Sequence, residues 1–227
     1  GFRVIGAGSL GARPATGQGG WRAAVEQRAR LASESARDRL LCLGTHDDHL
    51  ELWDLARGRR TARVRVPGLR QVQAGGGACH VLTRAGRVVR HPRTGEPRRL
   101  QRRATAIAWT GERLLVAAAG AIHVHAADGR RLRSRRVDSG ATAVGRAGPY
   151  LVTGYGDGNL ELVPDRAGAA RPAFTFEGVP ASPVVRIMAG PRRTLMASYA
   201  SGLLGIWSLR NRAQLERARL HGPVVHL

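Results

Sequence analysis

A run of four potential metal ligands, His46, Asp47, Asp48 and His49, is the densest group of chemically active side chains in the sequence. Imidazole nitrogen and carboxylate oxygen both bind Zn²⁺ and related ions. Side chains of adjacent residues in a tight turn diverge, however, and these residues separate two apolar runs, where Asp is a common turn residue. The sequence therefore favours a turn over a partner-binding surface or a metal site, and we expect no bound metal.

A second candidate is the segment 6–11, Gly-Ala-Gly-Ser-Leu-Gly, which fits the G-x-G-x-x-G dinucleotide fingerprint. That fingerprint needs a following helix whose N-terminus faces the pyrophosphate. Pro14 and the glycines at 17, 19 and 20 interrupt any such helix. A glycine-rich turn is the preferred interpretation, and we expect no cofactor.

The two cysteines, Cys42 and Cys79, each fall inside a strand-like pattern and lack metal-type C-x-x-C spacing. They are interpreted as small buried hydrophobic residues. Two cysteines do not make a disulfide framework, so a reducing compartment, the cytoplasm, is the expected location.

Catalytic chemistry has little support elsewhere in the chain. All 37 basic residues are arginine, which excludes Schiff-base chemistry and a P-loop lysine, and the 16 acidic residues are scattered, mostly in turns. His123 and His125 share one face of a predicted strand, but packing explains them better than catalysis does. We expect a protein that is not an enzyme.

Composition gives a soluble globular class with an unusual charge. The 227 residues are 43% hydrophobic and 23% charged, and the net charge is +21. No stretch approaches the roughly 18 consecutive apolar residues of a membrane-spanning helix. Arginine without lysine, together with abundant alanine and glycine, is typical of a high-GC coding sequence. The charge thus has two open explanations, codon bias and association with polyanions such as nucleic acid.

Internal repeats organise the chain from about residue 28 onward. Each repeat has a short apolar opening run, a second apolar run, a Gly/Asp turn, an alternating third run and an Arg-rich last run. Period-two alternation bounded by turns predicts β-strands. Four strands in about 40 residues is the size of a β-propeller blade. The predicted fold is all-β, a single β-propeller domain (1–227) of four-stranded antiparallel blades, with repeats at about 28–66, 69–103, 104–139, 140–179 and 180–221.

The third runs carry a family resemblance. The segment 50–55, Leu-Glu-Leu-Trp-Asp-Leu, resembles the WD-repeat signature, and the segment 202–209, ending Ile-Trp-Ser-Leu, is a second copy. The resemblance covers about 28–227, and it implies equivalent structural positions at Trp53 with Asp54, and at His91, His125, Val163 and Trp207. The family's Gly-His dipeptide is missing here, which leaves its buried hydrogen-bond network incomplete.

The resemblance also implies a function. WD-repeat propellers act as protein-interaction scaffolds, and similar bacterial propellers are often attached to signalling domains, which makes a sensor portion of a larger signalling protein one interpretation. Partners would dock on the turns between second and third strands and on the links between blades. The residues predicted to bind a partner are His46, Asp47, Asp48, His49, Tyr155, Asp157, Asn159, Tyr199 and Ser201.

Two questions stay open in the sequence. Residues 1–27 and 222–227 are predicted to share a sixth, closing blade, the alternative being a fragment of a seven-bladed propeller. The arginine clusters of the fourth strands are predicted to lie on a solvated outer rim. The alternative function is non-specific nucleic-acid binding through that rim, although no stacking aromatic residue lies among the clusters.

Overall fold

Where the structure describes the chain, its regular structure is almost entirely β-strand. The computed structural model describes residues 29–166 and 173–219, and these form five four-stranded antiparallel sheets and one short 3-10 turn, Pro191–Arg193. Within each sheet, strands adjacent in sequence are hydrogen-bonded neighbours. The all-β class and the four-stranded antiparallel blades predicted from the sequence are confirmed.

The chain divides into an N-terminal and a C-terminal unit, and the boundary between Leu100 and Gln101 falls at the last residue of the eighth strand. The N-terminal unit contains sheet 1, with β1 (Ala29–Ser35), β2 (Leu40–Thr45), β3 (His49–Asp54) and β4 (Arg59–Arg65), and sheet 2, with β5 (Leu69–Gly75), β6 (Ala78–Thr83), β7 (Val88–Pro92) and β8 (Arg98–Gln101).

The C-terminal unit contains three sheets. Sheet 3 has β9 (Ala104–Thr110), β10 (Arg113–Ala118), β11 (Ala121–Ala126) and β12 (Arg131–Arg136). Sheet 4 has β13 (Ala141–Ala147), β14 (Tyr150–Tyr155), β15 (Leu160–Pro164) and β16 (Phe174–Phe176). Sheet 5 has β17 (Val184–Gly190), β18 (Thr194–Tyr199), β19 (Leu203–Ser208) and β20 (Ala213–Arg219).

Burial changes systematically across each sheet. The second strand β2 is buried at every position, whereas the outer strand β4 is exposed at five of its seven. A strand buried on both faces reads as a continuous apolar run, and this explains why the second strands lack alternation in the sequence.

The core of the N-terminal unit lies between its two sheets. Leu50 and Leu52, on one face of β3, pack with Leu69, Val72 and Val81 of sheet 2. Each of these five side chains is at most 4% exposed. Full burial of such a side chain stabilises the fold by roughly 1.5–3 kcal/mol, so this seam holds the two sheets face to face.

A disulfide joins the two sheets across the same seam. Cys42 of β2 and Cys79 of β6 are bonded, and both are 0% exposed. The prediction that both cysteines are buried is confirmed, whereas the interpretation that they form no disulfide is wrong. They stand 37 residues apart, about one repeat, so each lies in the second strand of its sheet on the faces that meet. The cytoplasmic location stays a prediction, and the disulfide removes the argument on which it rested.

The C-terminal unit has two apolar seams. One lies between sheets 3 and 4 and contains Leu115, Ile122, Val124, Val144 and Leu151. The other lies between sheets 4 and 5 and carries most of the aromatic side chains of the unit. There Trp207 stacks on Phe176 with ring centroids 5.9 Å apart, and Tyr199 lies 6.4 Å from the Trp207 ring.

Several predictions concern residues outside the described ranges. The glycine-rich segment 6–11 and the closing blade built from 1–27 and 222–227 belong there, so the six-bladed and seven-bladed alternatives stay predictions. Within the described residues, no helix has the length and apolar character needed to cross a membrane.

Candidate interaction surfaces

In the N-terminal unit, the predicted metal-ligand run forms the turn between β2 and β3. The Thr45 hydroxyl donates a hydrogen bond to Asp47 and thereby holds the pKa of that carboxyl below its usual range. Arg63 of the outer strand reaches Asp47 at 2.6 Å, whereas the Asp48 carboxylate accepts from the Gly68 N–H at 3.2 Å. The two carboxylates serve different partners, and within the described residues no group of three or more His, Cys, Asp or Glu could hold a metal ion.

The outer-strand arginines beside this turn are partly engaged in ion pairs. Glu51 is only 5% exposed, and it accepts from Arg60 at 2.8 Å and from the Trp53 indole at 3.0 Å. Arg63 lies 3.5 Å from the same carboxylate. These contacts give two of the four β4 arginines a structural role and leave Arg59 and Arg65 exposed to solvent.

In the C-terminal unit, the turn between β14 and β15 is fixed by its own side chains. Asp157 accepts from the backbone N–H of Asn159 at 3.0 Å and from its side-chain amide at 2.8 Å. Gly158 adopts φ +96°, and a Cβ there would lie 1.9 Å from the Val179 carbonyl oxygen. The turn therefore packs directly on the segment 177–183 that links sheets 4 and 5.

The link 177–183 forms hydrogen bonds with this turn and also with the next one, between β18 and β19. The Ala181 N–H donates to the Asp157 carbonyl oxygen at 3.1 Å. The hydroxyls of Ser182 and Ser201 are 2.9 Å apart, and the Ser201 N–H donates to Ser182 at 3.1 Å. The segments 156–159, 177–183 and 200–202 thus form one connected surface, which we call the turn surface.

A second link, 137–140, connects sheets 3 and 4 and borders the turn surface. The Tyr155 hydroxyl donates to Glu161, and the same carboxylate accepts from the Asp138 N–H at 3.0 Å. Burial and the neighbouring Glu161 carboxylate raise the pKa of Tyr155. Tyr155 is therefore a neutral hydrogen-bond donor at physiological pH, and it fixes the edge of the surface.

The structure separates the predicted partner-binding residues by exposure. His46, Asp47, Asp157, Asn159 and Ser201 are exposed. Asp48, His49 and Tyr155 are half-buried. Tyr199, the last residue of β18, is 0% exposed and packs on Trp207, so its side chain is not accessible to a partner.

The predicted repeat positions lie in the third strands of the sheets. His91, His125, Val163 and Trp207 are each at most 7% exposed, whereas Trp53 is half-buried. Asp54 accepts from the N–H groups of Ala56 and Arg57, and its other carboxylate oxygen lies 2.9 Å from Arg93 of sheet 2. Asp54 therefore stabilises its own turn and joins sheets 1 and 2.

Burial gives Tyr199 a testable pH signature. Desolvation raises its pKa to about 12, whereas the pKa of a tyrosine in the unfolded chain is about 10. The protonated form therefore stabilises the fold fully below about pH 10, and this contribution is lost as the pH rises through about 12, by at most ~1.4 kcal/mol per pH unit. We expect Tyr199→Phe to flatten the fall in unfolding free energy between these pH values.

Urea denaturation at pH 8 to 11.5 measures that effect. The buried Tyr199 hydroxyl has no hydrogen-bond partner of good geometry among the described residues, so Tyr199→Phe is expected to keep its stability at pH 8 within about 1 kcal/mol. If the unfolding free energy of Tyr199→Phe fell with rising pH as steeply as that of the wild type, Tyr199 would not titrate in this range.

The sequence did not reveal Ser182 or the link that carries it. Ser182 is 6% exposed and holds the β18–β19 turn, but it stands outside the repeat pattern in a Pro-flanked segment. Its only sequence signal is its place between two predicted strands, which does not distinguish a bridging serine from an ordinary loop residue.

Comparison with known proteins shows the fold. No family model and no curated protein matches the sequence. Among solved structures, the computationally designed Ika8 protein matches with 18% identity and a TM-score of 0.61, over 85% of this chain and 62% of that one. The Cps50 (Swd1) β-propeller domain of Myceliophteria thermophila matches with 18% identity and a TM-score of 0.62, over 80% of this chain and 69% of that one. Raptor from Chaetomium thermophilum matches with 15% identity and a TM-score of 0.64, over 86% of this chain and 21% of that one.

These matches confirm the β-propeller fold. The chain spans less than two thirds of the designed protein and about a fifth of Raptor. At this level of identity the similarity concerns architecture, because unrelated functions share one fold.

Proposed function

We propose that this chain is a WD-repeat type propeller that serves as a non-catalytic docking platform for protein partners, through the turn surface of its C-terminal unit. One observation carries the proposal. The link residues Ala181 and Ser182 fix two successive turns by hydrogen bonds, while Asp157, Asn159 and Ser201 stay exposed. Polar groups held in place before binding lose little conformational entropy when a partner docks.

The charge of this surface indicates the kind of partner. Asp157 and Glu177 are exposed on it, and Asp138 is exposed on the link that borders it, although the chain as a whole carries +21. One arginine, Arg217, reaches the surface and donates to the Gly178 carbonyl oxygen at 3.4 Å. Carboxylate groups on turns of fixed backbone conformation accept strong hydrogen bonds from cationic donors. A protein segment that presents Arg or Lys side chains fits this chemistry.

The WD-repeat assignment within the proposal is supported by the third strands. Trp53 and Trp207 occupy the repeat position in β3 and β19, and Asp54 follows Trp53 as a turn-stabilising residue. The other sheets have His91, His125 and Val163 there, all buried.

The test compares one substitution at opposite ends of the strands of the C-terminal unit. Asn159→Arg adds bulk and positive charge to the turn surface, and Asn211→Arg adds the same group to the exposed β19–β20 turn. In affinity capture from an extract of the native host, we expect Asn159→Arg to lose the protein partners that the wild type recovers. Asn211→Arg is expected to keep them. Equal recovery by both variants would remove the turn surface from the proposal.

Nucleic-acid binding through the outer strands is the second candidate. The arginines that favour it are exposed outer-strand residues without a carboxylate partner within 4 Å among the described residues: Arg59, Arg65, Arg99, Arg131, Arg136, Arg217 and Arg219. Other outer-strand arginines, such as Arg60, Arg63 and Arg133, are held in ion pairs. Treating the capture extract with nuclease separates the two candidates, because partners recruited through nucleic acid are then lost and directly bound proteins are kept.

A further inference from the structure

Three arginines of the C-terminal unit converge on one buried carboxylate, at the strand ends opposite the turn surface. Asp165 follows β15 and is 5% exposed. Arg133 of β12 donates to one of its carboxylate oxygens through Nε at 3.1 Å and also through Nη2. Arg146 of β13 and Arg113 of β10 approach the other oxygen at 3.4 Å and 3.9 Å. The cluster therefore joins sheets 3 and 4.

The cluster contains more positive charge than Asp165 neutralises. Charge-assisted hydrogen bonds between guanidinium and carboxylate are about 2.7–2.9 Å long, and the Arg146 and Arg113 contacts exceed this. Neither guanidinium group donates a hydrogen bond to another described residue. Three guanidinium groups therefore face one carboxylate. Arg113 and Arg146 both lie near the same carboxylate oxygen of Asp165, and 39% and 42% of their side-chain surfaces, respectively, are exposed to solvent.

The spacing of these two guanidiniums suits a small oxyanion. Because Arg113 Nη1 lies 3.9 Å and Arg146 Nη2 lies 3.4 Å from one shared oxygen, the two nitrogens are at most about 7.3 Å apart. A tetrahedral oxyanion that accepts one hydrogen bond of about 2.8 Å from each side can bridge two nitrogens separated by up to this distance. Guanidinium forks also match the oxygen geometry of phosphate.

The surroundings strengthen the attraction. The turns at the same strand ends carry exposed arginines at Arg130, Arg166, Arg192, Arg193, Arg210 and Arg212. The exposed acids on these turns are Glu112 and Asp128. A local excess of one charge raises the concentration of counter-ions at the surface, so anions are drawn to the cluster.

We propose that Arg113 and Arg146 form a binding site for a phosphate-class oxyanion, with Asp165 as the group that holds the arginines together when the site is empty. Asp165 competes with the anion for the same donors. Removing the carboxylate charge is therefore expected to strengthen phosphate binding, whereas removing either arginine is expected to weaken it. A purely structural ion-pair cluster would show no such opposite effects.

The test measures protection of the full chain by inorganic phosphate in thermal unfolding, with the ionic strength held constant by chloride. We expect Arg113→Gln and Arg146→Gln each to lower the phosphate affinity about tenfold, which corresponds to one lost charge-assisted hydrogen bond. Asp165→Asn is expected to raise it several-fold. The matched control Arg136→Gln removes the same charge from an exposed β12 position outside the cluster and is expected to leave the affinity unchanged.

Two results would overturn the proposal. One is equal phosphate protection in all the arginine variants, which would show general attraction to a basic surface. The other is protection by a short single-stranded oligonucleotide with none by inorganic phosphate, which would assign the charge to polyanion association. Asp165→Asn is expected to raise the phosphate affinity, whereas the arginine variants lower it. A general loss of stability therefore cannot produce the expected pattern.

Discussion

Replacing both disulfide cysteines, as Cys42→Ala/Cys79→Ala, is expected to lower the free energy of unfolding by about 4 kcal/mol. The two residues are 37 positions apart, so the bond closes a loop of roughly one repeat in the unfolded chain. Opening that loop increases the entropy of the unfolded state, and the chain-entropy model gives this magnitude for a loop of that length. Urea denaturation under non-reducing conditions, with the wild type alongside, measures the difference.

The reduced wild type is the control for lost packing. Both cysteines are 0% exposed, so the alanine variant also loses buried sulfur atoms, which the reduced wild type retains. We expect the reduced wild type to fall between the oxidised protein and the double variant. A midpoint that does not change on reduction and on substitution would contradict a bond between the two sheets.

The second large effect is expected from Gly158→Ala, which should lower stability by at least about 2 kcal/mol and weaken partner capture. A Cβ at this position would meet the Val179 carbonyl oxygen at 1.9 Å and the carbonyl carbon at 2.8 Å. Both are backbone atoms of the link, so the link must shift. The positive φ of +96° adds strain for any residue with a side chain.

Gly156→Ala is the matched control, two residues away in the same turn. A Cβ there would meet only Thr142 Cγ2 at 3.9 Å, an ordinary contact. We expect Gly156→Ala to unfold and to capture partners like the wild type. If both variants behave alike, the close packing of the turn on the link does not determine the geometry of the turn surface.

The sequence predicted the strands best where apolar and polar residues alternate or where arginine is frequent. Alternation in β3 placed Leu50 and Leu52 on the core face, and four of the five outer strands were recognisable by exposed arginine. The second strands are buried on both faces, so alternation could not show on which side a residue lies. Tyr199 illustrates this, because its place beside a turn suggested exposure while the structure buries it against Trp207.

The features that sequence reasoning missed depend on contacts between sheets. Cys42 and Cys79 pair because sheets 1 and 2 pack with these two residues opposite each other, and no pattern along the chain predicts that alignment. Asp165 collects three arginines from β10, β12 and β13 for the same reason. Contacts within a sheet follow from strand order, whereas contacts between sheets require the packed structure.

The covalent link between the first two sheets also outlasts the fold. The sequence contains two cysteines, so this is the one intramolecular disulfide that the chain can form. A chain that unfolds without reduction therefore keeps the residues of these two sheets tethered, and it refolds from a closed loop of about one repeat.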